Sequence, residues 1–234
     1  MRKELLGISI VTVILFSLTQ ANVGTASPEP IVSFDPQPIN KLVGSTFDIN
    51  ITVANVTNLY AWQFNVTFNP SVLEFTGVEE GPFLKQAGTT YMLPTIIDND
   101  AGFTFFGVSL WLYPAPPGGA NGSGTLATIT FAATGNGTST LHFYESKLND
   151  WDHEHKVPVP IPHTAVDGSA TATPIPGDAN WDGTVDDSDL SDLNEAYGSK
   201  PGDSNWNPKC DFQGDNKVDA LDLFDLSKNY GKTV

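Results

Sequence analysis

The residues whose types and spacing could do chemistry lie in the segment DANWDGTVDDSD, which runs from position 178 to position 189. Carboxylate or amide side chains stand at its positions 1, 3, 5, 9 and 12, and position 7 would contribute a backbone carbonyl oxygen. Gly183 stands at position 6, where such a loop must turn sharply. This is the ligand pattern of a calcium-binding loop. The predicted ligands are Asp178, Asn180, Asp182, Thr184, Asp186 and Asp189.

The same pattern returns 33 residues later in the segment DFQGDNKVDALD, from position 211 to position 222. An acidic run can also be a solvated face, but a solvated face does not require carboxylates at the same loop positions twice. Gln213 is a longer amide than is usual at position 3, and Asn216 replaces glycine at position 6, so we expect weaker calcium binding here. Two Ca²⁺ ions are therefore expected. The ligands predicted for the second ion are Asp211, Gln213, Asp215, Lys217, Asp219 and Asp222.

A short helix is predicted after each loop, from about Asp187 to Tyr197 and from about Ala220 to Tyr230, and each is ended by a glycine. Prolines just before the first loop exclude a helix there, so the unit is a loop followed by a helix. Because residues 178–234 contain 13 acidic and 5 basic residues, this small unit should fold only when calcium neutralises its loops. We expect two apolar stripes to pack on each other, Leu190, Leu193 and Tyr197 against Leu223, Leu226 and Tyr230.

The whole chain of 234 residues is acidic, with a formal net charge of −16, which makes nucleic acids and anionic membranes poor partners.

The chain begins with Arg2 and Lys3, then an apolar run, then small residues up to about Ala26, as is typical of a secretory signal peptide. An uncleaved anchor is the alternative, although the run is shorter than the roughly 20 residues of a membrane span. We predict a secreted protein, extracellular or cell-surface associated, with membrane contact only through this segment. Cys210 is the only cysteine, which excludes an intrachain disulfide.

Short runs of alternating apolar and polar residues occur between positions 27 and 171, separated by Gly, Pro, Asn and Asp. The clearest are Phe47 to Val53 and Tyr60 to Phe68, and each predicts a strand with one buried face. Many short strands without an amphipathic helix between them predict an antiparallel β-sandwich. We therefore divide the chain into a signal peptide (1–26), a β-sandwich (27–171), a proline-rich linker (172–177) and a calcium-binding module (178–234).

The segment LVGSTFDINITVANVTNLYAWQFNVTFNPSVLEFTGVEEG, followed by GSGTLATITFAATGNGTSTLHF, resembles a cohesin domain, the receptor half of the cohesin–dockerin pair. The matching features are a strand, an Asn-rich turn, a strand ending in Asn-Pro-Ser-Val-Leu, and a Gly-rich loop entering Leu-Ala-Thr-Ile-Thr-Phe. The resemblance covers nearly all of residues 31–171. It implies a mainly β fold, a nine-stranded jelly-roll sandwich that presents one flat sheet face to a dockerin-bearing protein and has no catalytic role.

The resemblance also implies that the strand from Tyr60 to Phe68 lies in the partner-binding face. Its alternation gives the core side to Trp62, Phe64 and Val66, so the residues between them point outward. Two threonines of a later strand have the outward parity and would join them. A merely solvated sheet face is the alternative. The expected partner-binding residues of the sandwich are Ala61, Gln63, Asn65, Thr67, Thr128 and Thr130.

The C-terminal module resembles a type I dockerin over residues 176–232, because it has two loop-then-helix copies with Asp at position 12, where an EF-hand has Glu. The resemblance implies that the module binds cohesin-bearing proteins through residues near the last ligand of each loop. Leu221 and Phe224 project opposite the apolar stripe, where the first repeat has serines, so the second repeat is favoured. Packing of this pair against the linker is the alternative. The expected partner-binding residues are Asp187, Ser188, Asn194, Glu195, Ala220, Leu221, Phe224, Ser227 and Lys228.

These patterns predict a secreted, non-catalytic adaptor that could also associate head to tail with its own copies. Cohesins and dockerins are known chiefly from cellulose-degrading assemblies, although nothing in this sequence names a polysaccharide. One alternative is a carbohydrate-binding module with a calcium-stabilised appendage, and another is an extracellular structural protein.

Two smaller clusters of residues could also do chemistry. His153 and His155 could share a metal, but they lack further ligands, so a surface loop is favoured. The aromatic residues of a sugar-stacking platform would be Trp62, Trp111, Tyr113 and Trp151.

Overall fold

The computed structural model describes residues 28–112 and 114–234, so the predicted signal peptide and Tyr113 lie outside the described residues. In this part of the chain no helix has the length and apolar character needed to cross a membrane. The strands are β1 (Ile31–Asp35), β2 (Ile39–Leu42), β3 (Thr46–Leu59), β4 (Ala61–Thr67), β5 (Leu73–Glu80), β6 (Thr90–Met92), β7 (Ile96–Asp98), β8 (Phe103–Leu110), β9 (Ala120–Ala133), β10 (Gly137–Asp152), β11 (Val157–Pro160), β12 (Thr164–Val166) and β13 (Gly168–Thr173). The helices are α1 (Pro82–Lys85), α2 (Asp187–Ala196) and α3 (Ala220–Asn229).

Two sheets face each other and bury one core between them. The first sheet has the strand order β12-β1-β3-β9-β5. The second has the order β2-β13-β10-β4-β8-β6, with β11 beside β10 and β7 beside β8. Alternation along β4 places Trp62, Phe64 and Val66 in the core, opposite residues such as Ile129 and Phe131 of β9. The predicted β-sandwich is confirmed.

The predicted number of nine strands is wrong, since the described residues form thirteen. Five of them, β2, β6, β7, β11 and β12, have only three or four residues each. The number nine is implied by the resemblance to the family and is not counted from alternation, which is weak in strands this short. Two pairings are parallel, β1 with β12 and β2 with β13, so the sandwich is not purely antiparallel.

The connection to the C-terminal module is shorter than the proline-rich stretch suggests. Strand β13 continues to Thr173, paired with β2, so that only residues 174–177 separate the sandwich from the first loop. Both module helices begin where predicted, each after an aspartate that caps the helix, Asp186 or Asp219. Both end before a glycine with positive φ, Gly198 at 79° and Gly231 at 80°.

The module has its own small core, which differs from the predicted pairing of two helix stripes. Leu193 and Leu226 are buried at its centre, but Tyr197 and Tyr230 are about half exposed and Leu223 is also exposed. The two stripes therefore share one core through Leu193 and Leu226, with Leu190 packed against it, whereas Tyr197, Leu223 and Tyr230 do not join it. Loop and connection residues complete this core around Leu193 of α2 and Leu226 of α3. These core residues are Ile175, Ala179, Val185, Cys210 and Val218.

Candidate functional site

The first loop (178–189) is held in shape by carboxylates that accept hydrogen bonds from its own backbone. Asp178 accepts from the Trp181 amide at 2.7 Å and from the Gly183 amide at 3.0 Å. Asp189 accepts from the Ala179 amide at 2.7 Å and, through its other oxygen, from the Asp186 amide at 2.8 Å. The first and last acidic positions are both buried and together close the loop.

The second loop (211–222) repeats this arrangement with the expected offset. Asp211 accepts from the Asn216 amide at 2.8 Å, as Asp178 does from Gly183. Asp222 accepts from the Phe212 amide and from the Asp219 amide, both at 2.8 Å, as Asp189 does from Ala179 and Asp186. Asn216 takes the left-handed conformation expected of it, with φ of 66°. The two loops therefore share one backbone design.

Charge repulsion accompanies this design, because carboxylates of the same loop act on Asp178 and on Asp222. Burial raises the pKa of Asp178 above its usual value, and the nearby carboxylates of Asp189 and Asp182 raise it further, although amide hydrogen bonds oppose the shift. Burial likewise raises the pKa of Asp222, with Asp211 adding to the rise. A cation bound in the loop would relieve both effects.

The ligand chemistry of the loops fits a hard cation such as calcium, because every candidate ligand atom is an oxygen. Within residues 28–112 and 114–234, no three His, Cys, Asp or Glu side chains are grouped tightly enough to hold a metal by themselves. A calcium loop also uses amide and backbone oxygens, here from Asn180 or Gln213 and from Thr184 or Lys217. The amides of Thr184 and Lys217 donate to Asp182 and Asp215, at 2.8 and 3.0 Å, so position 7 is matched in both loops.

The two loops differ at position 3. Asn180 stays within its loop, where its side chain donates to Asp182 at 2.9 Å. Gln213 instead donates to Asp225 at 3.1 Å, and Asp225 lies on α3 beyond the loop. The longer side chain of Gln213 therefore hydrogen-bonds to a residue outside the loop, and this bond competes with a role as a calcium ligand.

The two repeats exchange backbone hydrogen bonds and so form a single unit. Val185 of the first loop donates to the Lys232 carbonyl at 2.9 Å and accepts from the Gly231 amide at 2.8 Å. Val218 of the second loop makes the equivalent pair with Ser199 and Gly198, at 3.0 and 2.8 Å. Each loop is therefore braced by the segment that follows the helix of the other repeat.

The module surface carries the predicted partner-binding residues on both helices. Leu221 and Phe224 on α3 are 57% and 61% exposed, so they do not pack against the linker. On the first repeat, the Asp187 carboxylate accepts a hydrogen bond from the Tyr230 hydroxyl, which raises the pKa of Tyr230. The other predicted residues of this surface are also exposed, namely Ser188, Asn194, Glu195, Ala220, Ser227 and Lys228.

On the sandwich, β4 presents its four predicted residues on the outer face of the eight-stranded sheet, between β10 and β8. Gln63 and Asn65 both donate to Glu145 of β10, at 3.1 and 3.3 Å, and Lys147 pairs with the same carboxylate at 2.6 Å. Ala61 and Thr67 continue the face at either end of β4. Sequence reasoning missed Glu145 and Lys147, because a register shift in β10 after Phe143 decides which of its residues stand beside β4.

The same face becomes apolar towards β7 and β6. Phe105 of β8 stands between Asn65 and Ile96, and Tyr91 of β6 pairs with Ser109 of β8. Ile96 and Tyr91 are both more than half exposed. The outer face of this sheet therefore combines a polar cluster around Glu145 with an apolar strip at its edge.

The prediction that Thr128 and Thr130 share this face is wrong. Both lie on β9, which belongs to the five-stranded sheet, and they donate to Asn50 and Asp48 of β3 at 2.9 and 2.7 Å. They point outward as predicted, but on the opposite side of the sandwich. Alternation within a strand tells core from solvent and does not tell which sheet the strand joins.

The other chemistry considered from the sequence is not assembled. Trp62 is 1% exposed in the core, and Trp151 packs partly buried against that core, so the proposed stacking platform does not form as a set. His153 contacts the Tyr60 hydroxyl at 2.9 Å, whereas His155 pairs with Asp152 at 2.7 Å. The two imidazoles thus face different partners.

Comparison with known proteins identifies the sandwich. The family model described as "Cohesin domain" matches residues 37–172, which is more than half of the chain and ends before the first loop. Among solved structures, the seventh ScaB type I cohesin from Pseudobacteroides cellulosolvens is 18% identical, with a TM-score of 0.50, over 62% of this chain and 93% of that one. A type II cohesin domain from the cellulosome of Acetivibrio cellulolyticus is 18% identical, with a TM-score of 0.50, over 61% of this chain and 95% of that one. No curated protein matches the chain.

Proposed function

This chain belongs to the cohesin family, and from that premise we propose that it is a secreted, non-catalytic adaptor with two protein-binding surfaces. The sandwich binds a dockerin-bearing protein, and the C-terminal module acts as a dockerin towards a cohesin-bearing protein. One observation carries the second half: the cohesin sandwich is followed by two loops in which backbone amides donate to carboxylates in the same pattern, 33 residues apart.

Calcium is the cofactor that this proposal requires, with one ion in each loop. When bound, it neutralises carboxylates that otherwise repel one another at close range. The chain contributes the shape of each loop around the ion, through amide hydrogen bonds to Asp178 and Asp189 or to Asp211 and Asp222.

The second repeat supplies the surface for the cohesin-bearing partner. Leu221 and Phe224 expose neighbouring apolar side chains on one face of α3, and contiguous exposed apolar area is typical of protein-binding surfaces. The equivalent positions of the first repeat are Ser188 and Ser191, and the neighbouring Asp187 is already hydrogen-bonded to Tyr230. The two repeats therefore offer chemically different surfaces.

The outer face of the eight-stranded sheet supplies the other surface. Its polar cluster around Glu145 can orient a partner by hydrogen bonds, and its apolar strip can bury area. Thr128 and Thr130 are left out, because they lie on the far side of the sandwich.

The direct experiment is calorimetry of the full chain against a panel of dockerin-bearing and cohesin-bearing proteins, with calcium and with a chelator. We expect cohesin-bearing partners to bind only with calcium present. Binding to neither class would contradict the proposal.

Head-to-tail self-association is measured by light scattering of the full chain alone, with calcium and with a chelator. A monomer at high concentration in both solutions would contradict head-to-tail association.

We predict that the two loops bind calcium unequally. The first loop should bind at least several-fold more tightly, because Gln213 of the second loop is held by Asp225 and Asn216 replaces glycine at the turn. Calorimetric titration of the metal-free full chain should resolve two affinities. The variant Asp178→Asn should remove the tighter one, and Asp211→Asn the weaker one. Two equal sites, or a tighter second site, would contradict this ranking.

We also predict that Ile96→Asp weakens binding of a dockerin-bearing partner by about tenfold or more, because it places a charge in the apolar strip. Ile96 is 58% exposed, so the fold should tolerate the change. Val166→Asp is the matched control, since Val166 is 46% exposed on β12 of the other sheet. Equal loss of affinity in both variants would show that the binding face is misassigned.

Carbohydrate binding remains a second candidate for one reason. Tyr91 and Trp111 are both more than half exposed beside Leu110 and Leu112, around an apolar hollow of about 420 Å³. Exposed aromatic rings are suited to stacking on sugars. Binding of the full chain to a panel of polysaccharides, compared with its loss in Trp111→Ala, tests this reading.

A further inference from the structure

The first loop is not free in solvent but lies against the sandwich. Gly44, in the turn between β2 and β3, has φ of +91°, and a Cβ added there would stand 2.5 Å from the Cα of Gly183. Gly183 is buried, and its own added Cβ would stand 3.2 Å from the Cα of Gly44. The two backbones therefore touch at a point where neither residue can carry a side chain.

Trp181 makes the second contact between the first loop and the sandwich. It is partly buried and packs against the core of the sandwich. The Lys209 ammonium lies 4.2 Å from the centre of its ring and 3.5 Å from the Asn180 carbonyl oxygen, so the ring has a cation–π contact as well as its packing on the core.

The backbone of Trp181 shows that this contact carries a cost. Its φ is +66°, in the left-handed region that large side chains avoid. The equivalent residue of the second loop is Gly214, with φ of +70°, which adopts this conformation freely. A tryptophan at this position is sustained by its packing on the sandwich.

The two loops therefore differ in what surrounds them. Asp178 and Gly183 of the first loop are buried, whereas the stretch from Gln213 to Lys217 of the second loop is exposed. Among the described residues, the first loop contacts the sandwich through Gly183, at the turn of Val43 and Gly44, and through Trp181, at the core.

We propose that the calcium-loaded first loop clamps the C-terminal module onto the end of the sandwich, with the β2–β3 turn of the same chain as its partner surface. This inference rests on the proposed calcium binding. Closure of the loop fixes positions 4 and 6, which carry Trp181 and Gly183, in the shape that the sandwich contacts. Because coupling is reciprocal, contact with the sandwich tightens calcium binding at the first loop and leaves the second unchanged.

The test compares two alanine variants of the full chain. Gly44→Ala introduces a Cβ that collides with Gly183. Gly122→Ala is the matched control, because Gly122 also has positive φ, at +109°, but its added Cβ meets nothing within 4 Å. Calcium titration and small-angle X-ray scattering are measured on both, and on Trp181→Gly, which removes the packed ring and the backbone strain together.

We expect Gly44→Ala and Trp181→Gly to lower calcium affinity at the first loop by about tenfold, and to give a larger radius of gyration with calcium than the unaltered chain. Gly122→Ala should match the unaltered chain in both. The clamp is refuted if Gly44→Ala and Trp181→Gly keep the affinity and scattering of the unaltered chain. That result differs from failure of calcium binding itself, in which the unaltered chain would show no binding heat at either loop.

Discussion

Asp189→Ala should unfold the C-terminal module while the sandwich stays folded. The buried Asp189 carboxylate accepts hydrogen bonds from the amides of Ala179, Asn180 and Asp186, at 2.7, 3.2 and 2.8 Å. Leaving the buried Ala179 donor unpaired costs about 1–3 kcal/mol, and the partly buried amides of Asn180 and Asp186 add to it, which is a large share of the stability of so small a unit. The substitution also removes one of the proposed calcium ligands.

The reactivity of the Cys210 thiol reports whether the module is folded in this variant. It is the only cysteine of the chain, and it is fully buried in the core of the module. Burial raises the pKa of its thiol to about 12, and the carboxylates of Asp192, Asp222 and Asp189 contribute to the rise. The thiol should therefore react slowly with a disulfide reagent while the module is folded, and rapidly once it opens.

Thiol labelling is followed with calcium for the unaltered chain, for Asp189→Ala and for Asp192→Ala. Asp192→Ala removes the same charge three residues further along α2 and should leave Cys210 protected. Adding a chelator to the unaltered chain should give the fast labelling of Asp189→Ala, with the β signal of the sandwich unchanged in circular dichroism. Slow labelling of Asp189→Ala would mean that the loop carboxylate does not support the module.

Replacing Leu221 and Phe224 together by aspartate should abolish binding to cohesin-bearing partners, with a loss of about 100-fold or more. Both side chains are mostly exposed, so the module should still fold and bind calcium. The physical reason is that an apolar contact area is replaced by two charges that a partner would have to desolvate.

The repeat supplies the control for this pair. Ser188 and Ser191 occupy the equivalent positions of the first repeat, so the same double change to aspartate there introduces the same charges on α2. Calorimetry of each variant against a panel of isolated cohesin domains should show loss of binding for the second-repeat variant only. Loss confined to the first-repeat variant would transfer the binding surface to α2.

The loops were predictable from the sequence because their structure is local. Asp178 and Asp189 are joined to backbone amides at most ten residues away, and the helices begin at capping aspartates within the same segment. The sandwich core was predictable for a similar reason, since alternation along β4 alone decides that Trp62 and Phe64 are buried.

What could not be predicted depends on pairing between distant segments. Thr128 has the correct outward parity, but its sheet is fixed by the pairing of β9 with β3 and β5. Glu145 joins the face of β4 only through a register shift in β10, which leaves no mark in the alternation. Trp181 occupies position 4 of the loop, which is not a ligand position, and only the structure shows its contact with the sandwich.

The backbone hydrogen bonds between the two repeats of the module limit where the chain can be shortened or tagged. Residues 231–234 follow the last helix and would ordinarily be judged dispensable. They supply both backbone partners of Val185, and Val234 also bonds to the Gly183 carbonyl at 3.0 Å. Trimming the chain at Tyr230, or fusing a bulky tag there, would therefore damage the first loop, which lies some 45 positions earlier in the sequence. Labels and surface anchors belong at the other end of the described fold, before β1.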